Sequence, residues 1–191
     1  MARTTEIKDR LVQAGEGLFA RRGYTVTLLD VMNKAGTPRG SIYYHVPNGK
    51  EEVAIGVAHK VADGHECRVS SLGREHREPA AFLQAVVDDH TDKLVKSGYQ
   101  EGCAMVGITV SVDTDSVELR AAVAEAFTRW IGAISQVLRE KGLGVTASRD
   151  LATAVVSGIE GAMVISRATG NSAPLKQFRK LVPALVGPAG H

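Results

Sequence analysis

The stretch from Gly23 to Glu51 is crowded with helix starts and stops, and their spacing admits only short helices joined by tight turns. Gly23 follows the basic pair Arg21-Arg22, a pattern that ends a helix. Thr27-Leu28-Leu29-Asp30 has the spacing of a capping box, opening a short helix over Leu28, Val31 and Met32 that stops at Ala35-Gly36. Thr37 then stands as a hydroxyl N-cap before Pro38 at the first helical position, which opens a second short helix to about His45. Pro47 forbids a smooth continuation, and Asn48-Gly49-Lys50-Glu51 reads as the cap and first turn of a long helix to about residue 70. Two short helices joined by a glycine-containing turn match a helix-turn-helix.

The rest of the chain keeps a helical period, and no stretch alternates convincingly at period two, so the fold expected is all-α. Ile7, Leu11, Ala14 and Leu18 line one face of a first helix starting at Thr4 or Thr5. Gly15 and Gly17 inside it each cost about 1 kcal/mol against Ala, which packing must offset. Ser70-Ser71-Leu72-Gly73 and the charged residues to Pro79 read as a linker. Helices are then expected over 80–97, over about 101–112, from Asp115-Glu118 to Lys141-Gly142, from Thr146 or Ser148 to about Thr169, and after Pro174. The expected division is an N-terminal three-helix DNA-binding domain over 1–50 and a larger helical body over 51–191.

Charge is unevenly spread. The whole chain has a formal net charge of +2, yet residues 1–50 hold eight Lys/Arg against four acids, a net of +4, and three of the four tyrosines (24, 43 and 44). A basic, tyrosine-bearing head suits a polyanion, although an excess of this size also occurs on ordinary solvated surfaces. Cys67 and Cys103 can neither make a disulfide framework nor by themselves complete a four-ligand zinc site. The apolar-leaning run Gly102 to Val112 is eleven residues, short of a membrane span, and MARTTEIKDR carries no apolar stretch of the secretory kind. A soluble, cytoplasmic protein is expected.

The ordered set Ile7, Ala14, Leu18-Phe19, Gly23-Tyr24, Thr27, Ala35-Gly36, Gly40-Ser41-Ile42-Tyr43-Tyr44-His45-Val46 and Lys50-Glu51 resembles the DNA-binding head of the TetR family of bacterial transcriptional regulators. Pro38-Arg39-Gly40-Ser41, the extra residue in Pro47-Asn48-Gly49-Lys50 and Glu160-Gly161-Ala162 with Arg167-Ala168 resemble the LmrA/YxaF-like branch. Leu28, Gly15, Gly17 and Val46 depart from the usual pattern without removing an expected DNA contact. The resemblance implies a ligand-binding and dimerisation body, operator DNA and a small-molecule effector as partners, and repression as the mode of regulation.

In a helix-turn-helix the first residues of the second helix touch base edges, here Thr37, Pro38, Arg39, Gly40 and Ser41. Arg39 can bond guanine O6 and N7 together, and Gly40 lets the backbone approach closely. Tyr43, Tyr44 and His45 follow at positions that the resemblance assigns to phosphate and groove; a core aromatic is the alternative for Tyr43. Thr27 and Lys50 sit near helix N-termini, which hold phosphate well.

In the body, Phe82, Val86, His90, Cys103, Met105, Val106, Thr109, Phe127, Trp130 and Ile134 form a candidate pocket wall for a neutral or weakly charged, apolar, planar ligand, or are in part ordinary core. Ala154, Gly158, Ala162 and Ser166 make a small-residue stripe flanked by Leu151, Val155, Ile159 and Met163. With Leu175, Phe178, Val182 and Leu185 it is expected to form a homodimer seam, unless this helix is the buried centre of one subunit. No cofactor or metal site is expected: His65-Glu66 begins like a zinc-protease motif, but Val69 stands where the second histidine belongs. His90 and Cys103 could pair as base and thiol, but nothing orients them. No phosphate loop, serine elbow or paired-carboxylate spacing supports an enzyme. A helical enzyme or protein-interaction module with a motif-like head is the alternative, separable by salt-dependent DNA binding.

Overall fold

The computed structural model describes residues 2–38, 42–113 and 115–187, and every regular element among them is helical. In chain order these are α1 (Ala2–Arg22), a 3-10 turn (Gly23–Thr25), α2 (Leu28–Ala35), α3 (Ile42–His45), α4 (Gly49–Glu75), α5 (Pro79–Lys96), α6 (Ala104–Thr109), α7 (Val117–Glu140), α8 (Val145–Thr169) and α9 (Ala173–Val186). They form two compact units, one of Met1–Asp63 with Cys103–Phe127 and one of Gly64–Gly102 with Thr128–His191. α4 and α7 each supply a segment to both.

In the first unit α1 lies close along the early part of α4. A Cβ on Gly15 would stand 3.0 Å from Val53 and 3.3 Å from Val57, and a Cβ on Gly56 would stand 2.7 Å from Val12. The glycines let the two helix axes approach, and the packing gained there offsets the helix propensity that Gly15 forfeits. Lys8–Glu52 (2.7 Å) and Lys60–Glu16 add ion pairs along the same seam. Leu11, Phe19, Val31, Ile42, Val53 and Val57 are buried in this unit.

In the second unit α5, α8 and α9 pack with the later parts of α4 and α7, burying Phe82, Leu83, Trp130, Ile134, Ile159 and Leu175. Arg179 Nε bonds Asp88 Oδ1 at 2.7 Å, tying α9 to α5, and Arg129 grips Glu66 with two bonds of 2.9 and 2.5 Å, tying α7 to α4.

The linker expected at Ser70–Gly73 is helix instead, the last turns of α4. Val69 and Leu72 are buried, and Gly73 leaves room for Val137, which would meet a Cβ there at 2.9 Å. Ser71–Glu75 and Arg74–Ser70 bonds, each four residues apart, complete the turns. Tertiary burial therefore overrides the loop-like Ser-Ser-Leu-Gly composition. α8 is the one described helix long and apolar enough to cross a bilayer, and 44% of its most apolar stretch is buried inside the chain.

Candidate functional site

The turn-rich stretch forms the capping box and the glycine stop that its spacing predicts, but Thr37 and Pro38 do not open α3, which is Ile42–His45; the Thr37 hydroxyl instead donates back to Met32 O at 3.3 Å. Thr27 Oγ1 accepts from the Asp30 amide at 3.1 Å while the Asp30 carboxylate accepts from the Thr27 amide at 3.0 Å, a complete capping box. Those Thr27 bonds, joined by its hydroxyl at 2.9 Å, hold the Asp30 carboxyl below the usual carboxylate range. Gly36 ends α2 in the left-handed conformation (φ +63°) that a side chain would resist, and its amide bonds back to α2 carbonyls. Val31, Met32 and Ile42 are buried, fixing α2 and α3 on the unit's core.

Tyr43 and Tyr44 face solvent, 68% and 77% exposed, so neither is a core aromatic. His45 lies edge-on to Tyr44 at 5.3 Å. Thr37 and Pro38 belong to the turn, with Pro38 exposed. Arg39, Gly40 and Ser41 lie outside the described residues. The Thr27 hydroxyl is engaged in the cap.

Lys50 is committed within the protein. Its Nζ donates to the Tyr24 carbonyl oxygen at 2.8 Å and stands 3.7 Å from the Tyr24 ring centroid. Burial depresses its ammonium, opposed by the charge of Asp113. Burial, with the carboxylates of Glu51 and Asp113, pushes the Tyr24 phenol up to about 12. The Tyr24 amide in turn donates to Ser111 Oγ at 2.7 Å, and that hydroxyl donates to Gly107 O at 2.6 Å. A Cβ on Gly107 would sit 2.5 Å from the Phe19 carbonyl oxygen, so α6 meets the end of α1 backbone to backbone. Sequence reasoning missed Ser111, whose role depends on a partner 87 residues away.

The pocket residues expected from sequence divide between the units. Val86, His90 and Trp130 line one cavity of about 10 Å3 in the second unit, together with His65, Arg68, Val69, Leu72 and Asp89. Phe82 and Ile134 are core residues of that unit. Cys103, Met105, Val106, Thr109 and Phe127 belong to the first unit, where Met105 is buried and the exposed Thr109 bonds its own helix at Met105 O. His65, Val69 and Leu72 recur at helical spacing on α4, a face hidden from sequence reading by the protease-like His65-Glu66 pair.

Within the cavity the His65 and Trp130 ring centroids are 4.1 Å apart, and His90 stacks on Trp130 at 5.0 Å. Burial is the main cause holding His65 down at about 3 and His90 at about 4, so both are neutral. His65 Nδ1, His90 Nε2 and Trp130 Nε1 are buried without hydrogen-bond partners. Asp89 bonds Arg68 at 2.7 Å and pairs with Lys93 at 2.7 Å.

Of the seam residues, Leu151, Val155, Ile159, Ala162, Met163, Ser166, Leu175 and Val182 are buried within the single chain. Gly158 faces the ring of Phe178, which already fills the space a Cβ would need. Much of the small-residue stripe therefore seats α9 on α8. Ala154 and Leu185 are exposed, and Val164, Ile165 and Leu181 are further exposed apolar residues of the two helices.

Residues 11–56 match the model of the tetR family of bacterial regulatory proteins, and residues 79–181 match the C-terminal domain of LmrA/YxaF-like transcriptional regulators. The chain is 27% identical to the HTH-type transcriptional regulator LmrA of Bacillus subtilis, over 94% of this chain and 96% of that one. It is 23% identical to the HTH-type transcriptional repressor DhaR of a Mycobacterium species, over 95% and 92% respectively. Its fold is that of a TetR transcriptional regulator from Legionella pneumophila, with a TM-score of 0.80 and 20% identity over 93% of this chain and 95% of the other.

Proposed function

The chain belongs to the TetR family of bacterial transcriptional regulators, its body of the LmrA/YxaF-like type, and from that premise we propose that it is a homodimeric, cytoplasmic repressor released from its operator by a small neutral molecule. The observation that carries the reading is the capped α2, its left-handed stop at Gly36 and the α3 that follows with Tyr43 and Tyr44 turned to solvent. Stacked on a buried Val31-Met32-Ile42 floor, that arrangement offers a rigid reading edge to a major groove. Tyr43, Tyr44 and His45 contact phosphate and groove, and Arg39 reads a base.

One head covers few base pairs, so specificity requires two heads about 34–36 Å apart on a palindrome, hence a dimer. We assign the dimer face to the exposed side of α8 and α9, with Ala154, Ile165, Leu181 and Leu185. α4 is one helix carrying both Lys50 beside the reading head and His65 in the effector cavity. A ligand that favours one placement of α4 shifts operator affinity by a coupling of about 1–3 kcal/mol.

Sedimentation of the chain with a duplex from the region upstream of its own gene tests the whole reading. Two chains per duplex, dissociating when a small neutral ligand is added, is the result expected. One chain per duplex, or no complex at low salt, contradicts it.

A further inference from the structure

We propose that Gln84 and Asp88 of α5 are positioning residues for dimerisation: they hold α9 where Pro183 breaks its backbone ladder, and so set the direction in which Leu181 and Leu185 project. The inference rests on the dimer face assigned above and adds residues, outside that face, on which its shape depends.

Pro183 lies inside α9. Proline has no amide hydrogen and its ring crowds the carbonyl four residues back, so the Arg179 carbonyl oxygen loses its helical donor and the helix is free to bend there. The side chain of Gln84 supplies the missing donor, its Nε2 donating to Arg179 O at 3.3 Å in a partly buried contact. A carbonyl oxygen only accepts, which fixes the Gln84 amide with its nitrogen toward α9. One turn along α5, Asp88 takes the other end of the same residue: Arg179 Nε lies 2.7 and 2.8 Å from the two carboxylate oxygens. Gln84 and Asp88 share a face of α5 at helical spacing, so the backbone and the side chain of Arg179 are gripped from one surface.

The core does not hold this end of α9. Leu175 and Val182 are its buried residues and Phe178 fits against Gly158 of α8, but Pro183, Ala184 and Leu185 are exposed. Leu181 and Leu185 stand at helical spacing on one outward face, on either side of the proline. A bend between Arg179 and Pro183 therefore swings Leu185 relative to Ile165 of α8, and a well-packed interface needs the two in a fixed relation. The two halves of the grip differ in weight. The Asp88–Arg179 pair is about half exposed, so salt screens it. A partly buried carbonyl left without a donor carries its cost at any salt.

The test is a mutant cycle on the full chain, with the dimer dissociation constant read by sedimentation across a dilution series. Gln84→Met keeps the length and removes the donor, and is expected to weaken the dimer about tenfold. Pro183→Ala restores a backbone donor to the Arg179 carbonyl oxygen. In that background Gln84→Met is expected to change the constant less than about twofold, a rescue that a general loss of packing would not show. Asp88→Asn is expected to weaken the dimer about threefold at about 50 mM salt and not at about 500 mM. The Gln84 side-chain amide resonance is expected to move when Pro183→Ala is introduced, a readout that needs no Gln84 variant to fold. A dimer indifferent to Gln84→Met, a loss undiminished by Pro183→Ala, or an unmoved Gln84 resonance overturns the proposal. A chain that sediments as a monomer before any substitution contradicts the dimer reading and the proposal with it, whereas a dimer indifferent to Gln84→Met contradicts the proposal alone.

Discussion

The ammonium of Lys50, in the first turn of α4, stands 3.7 Å from the Tyr24 ring centroid and donates a 2.8 Å bond to that residue's carbonyl oxygen. The contact straps the start of α4 to the turn between α1 and α2. Lys50→Met is therefore expected to lower stability by about 1 kcal/mol through the lost cation–π contact and hydrogen bond. In a double-mutant cycle with Tyr24→Leu, urea denaturation should show a coupling of at least about 0.5 kcal/mol. Additive losses would mean that the Tyr24 ring contributes nothing to holding Lys50.

Gly107 and Gly132 form a controlled pair. Gly107→Ala drives a methyl against the Phe19 carbonyl oxygen and should cost about 1–3 kcal/mol, because backbone must move. Gly132 on α7 has nothing within 4 Å, so Gly132→Ala should be neutral or stabilise by up to about 1 kcal/mol. Thermal unfolding of both variants checks the ranking, and equal effects would contradict the close approach of α6 to α1.

Gly158 should act on the fold before it acts on assembly. Gly158→Leu displaces Phe178 from α8 and is expected to destabilise the second unit. Ile165→Glu and Leu181→Glu, on exposed positions, should leave the melting of the single chain nearly unchanged yet give monomers in sedimentation. A folded dimer with both charges in place would move the assembly face elsewhere.

The buried histidines set a pH dependence whose sign follows from their neutral folded state. His65 and His90 are held at about 3 and about 4, below the ordinary 6.5, so between those values the unfolded chain binds more protons than the folded one. The histidines' contribution is absent well above pH 7, lowers stability as pH drops below about 6.5 by up to about 1.4 kcal/mol per unit for each histidine, and levels off below about 3. Denaturation midpoints across this range should decline less steeply in His90→Phe. An identical slope in that variant would mean that His90 is not buried as a neutral group.

Legibility in the sequence followed the range of the interactions. The Thr27–Asp30 box, the Gly36 stop and the start of α4 at Gly49 are local devices, each set within a few residues, and all three formed where their spacing placed them. The end of α4 did not, because Ser70–Gly73 is held helical by burial of Leu72 and by Val137, 64 residues beyond Gly73 in the chain. The stripe Gly158, Ala162 and Ser166 correctly announces close helix packing, but small residues do not reveal which helix arrives, and α9 of the same chain takes much of that face. His90 and Trp130 were visible as candidates, whereas His65 joins them only through the rotation of α4.

The central claim is sequence-specific recognition of DNA by the α2–α3 head, and fluorescence anisotropy of the full chain on two duplexes tests it most directly. One duplex carries the region upstream of the protein's own gene, the other a scrambled sequence of equal length, each titrated at about 50 and about 200 mM salt. The upstream duplex is expected to bind at least about 10³-fold more tightly than the scrambled one at the higher salt, and both affinities to fall at least about tenfold as salt rises. Equal affinity for the two duplexes, or binding that does not change with salt, would contradict it.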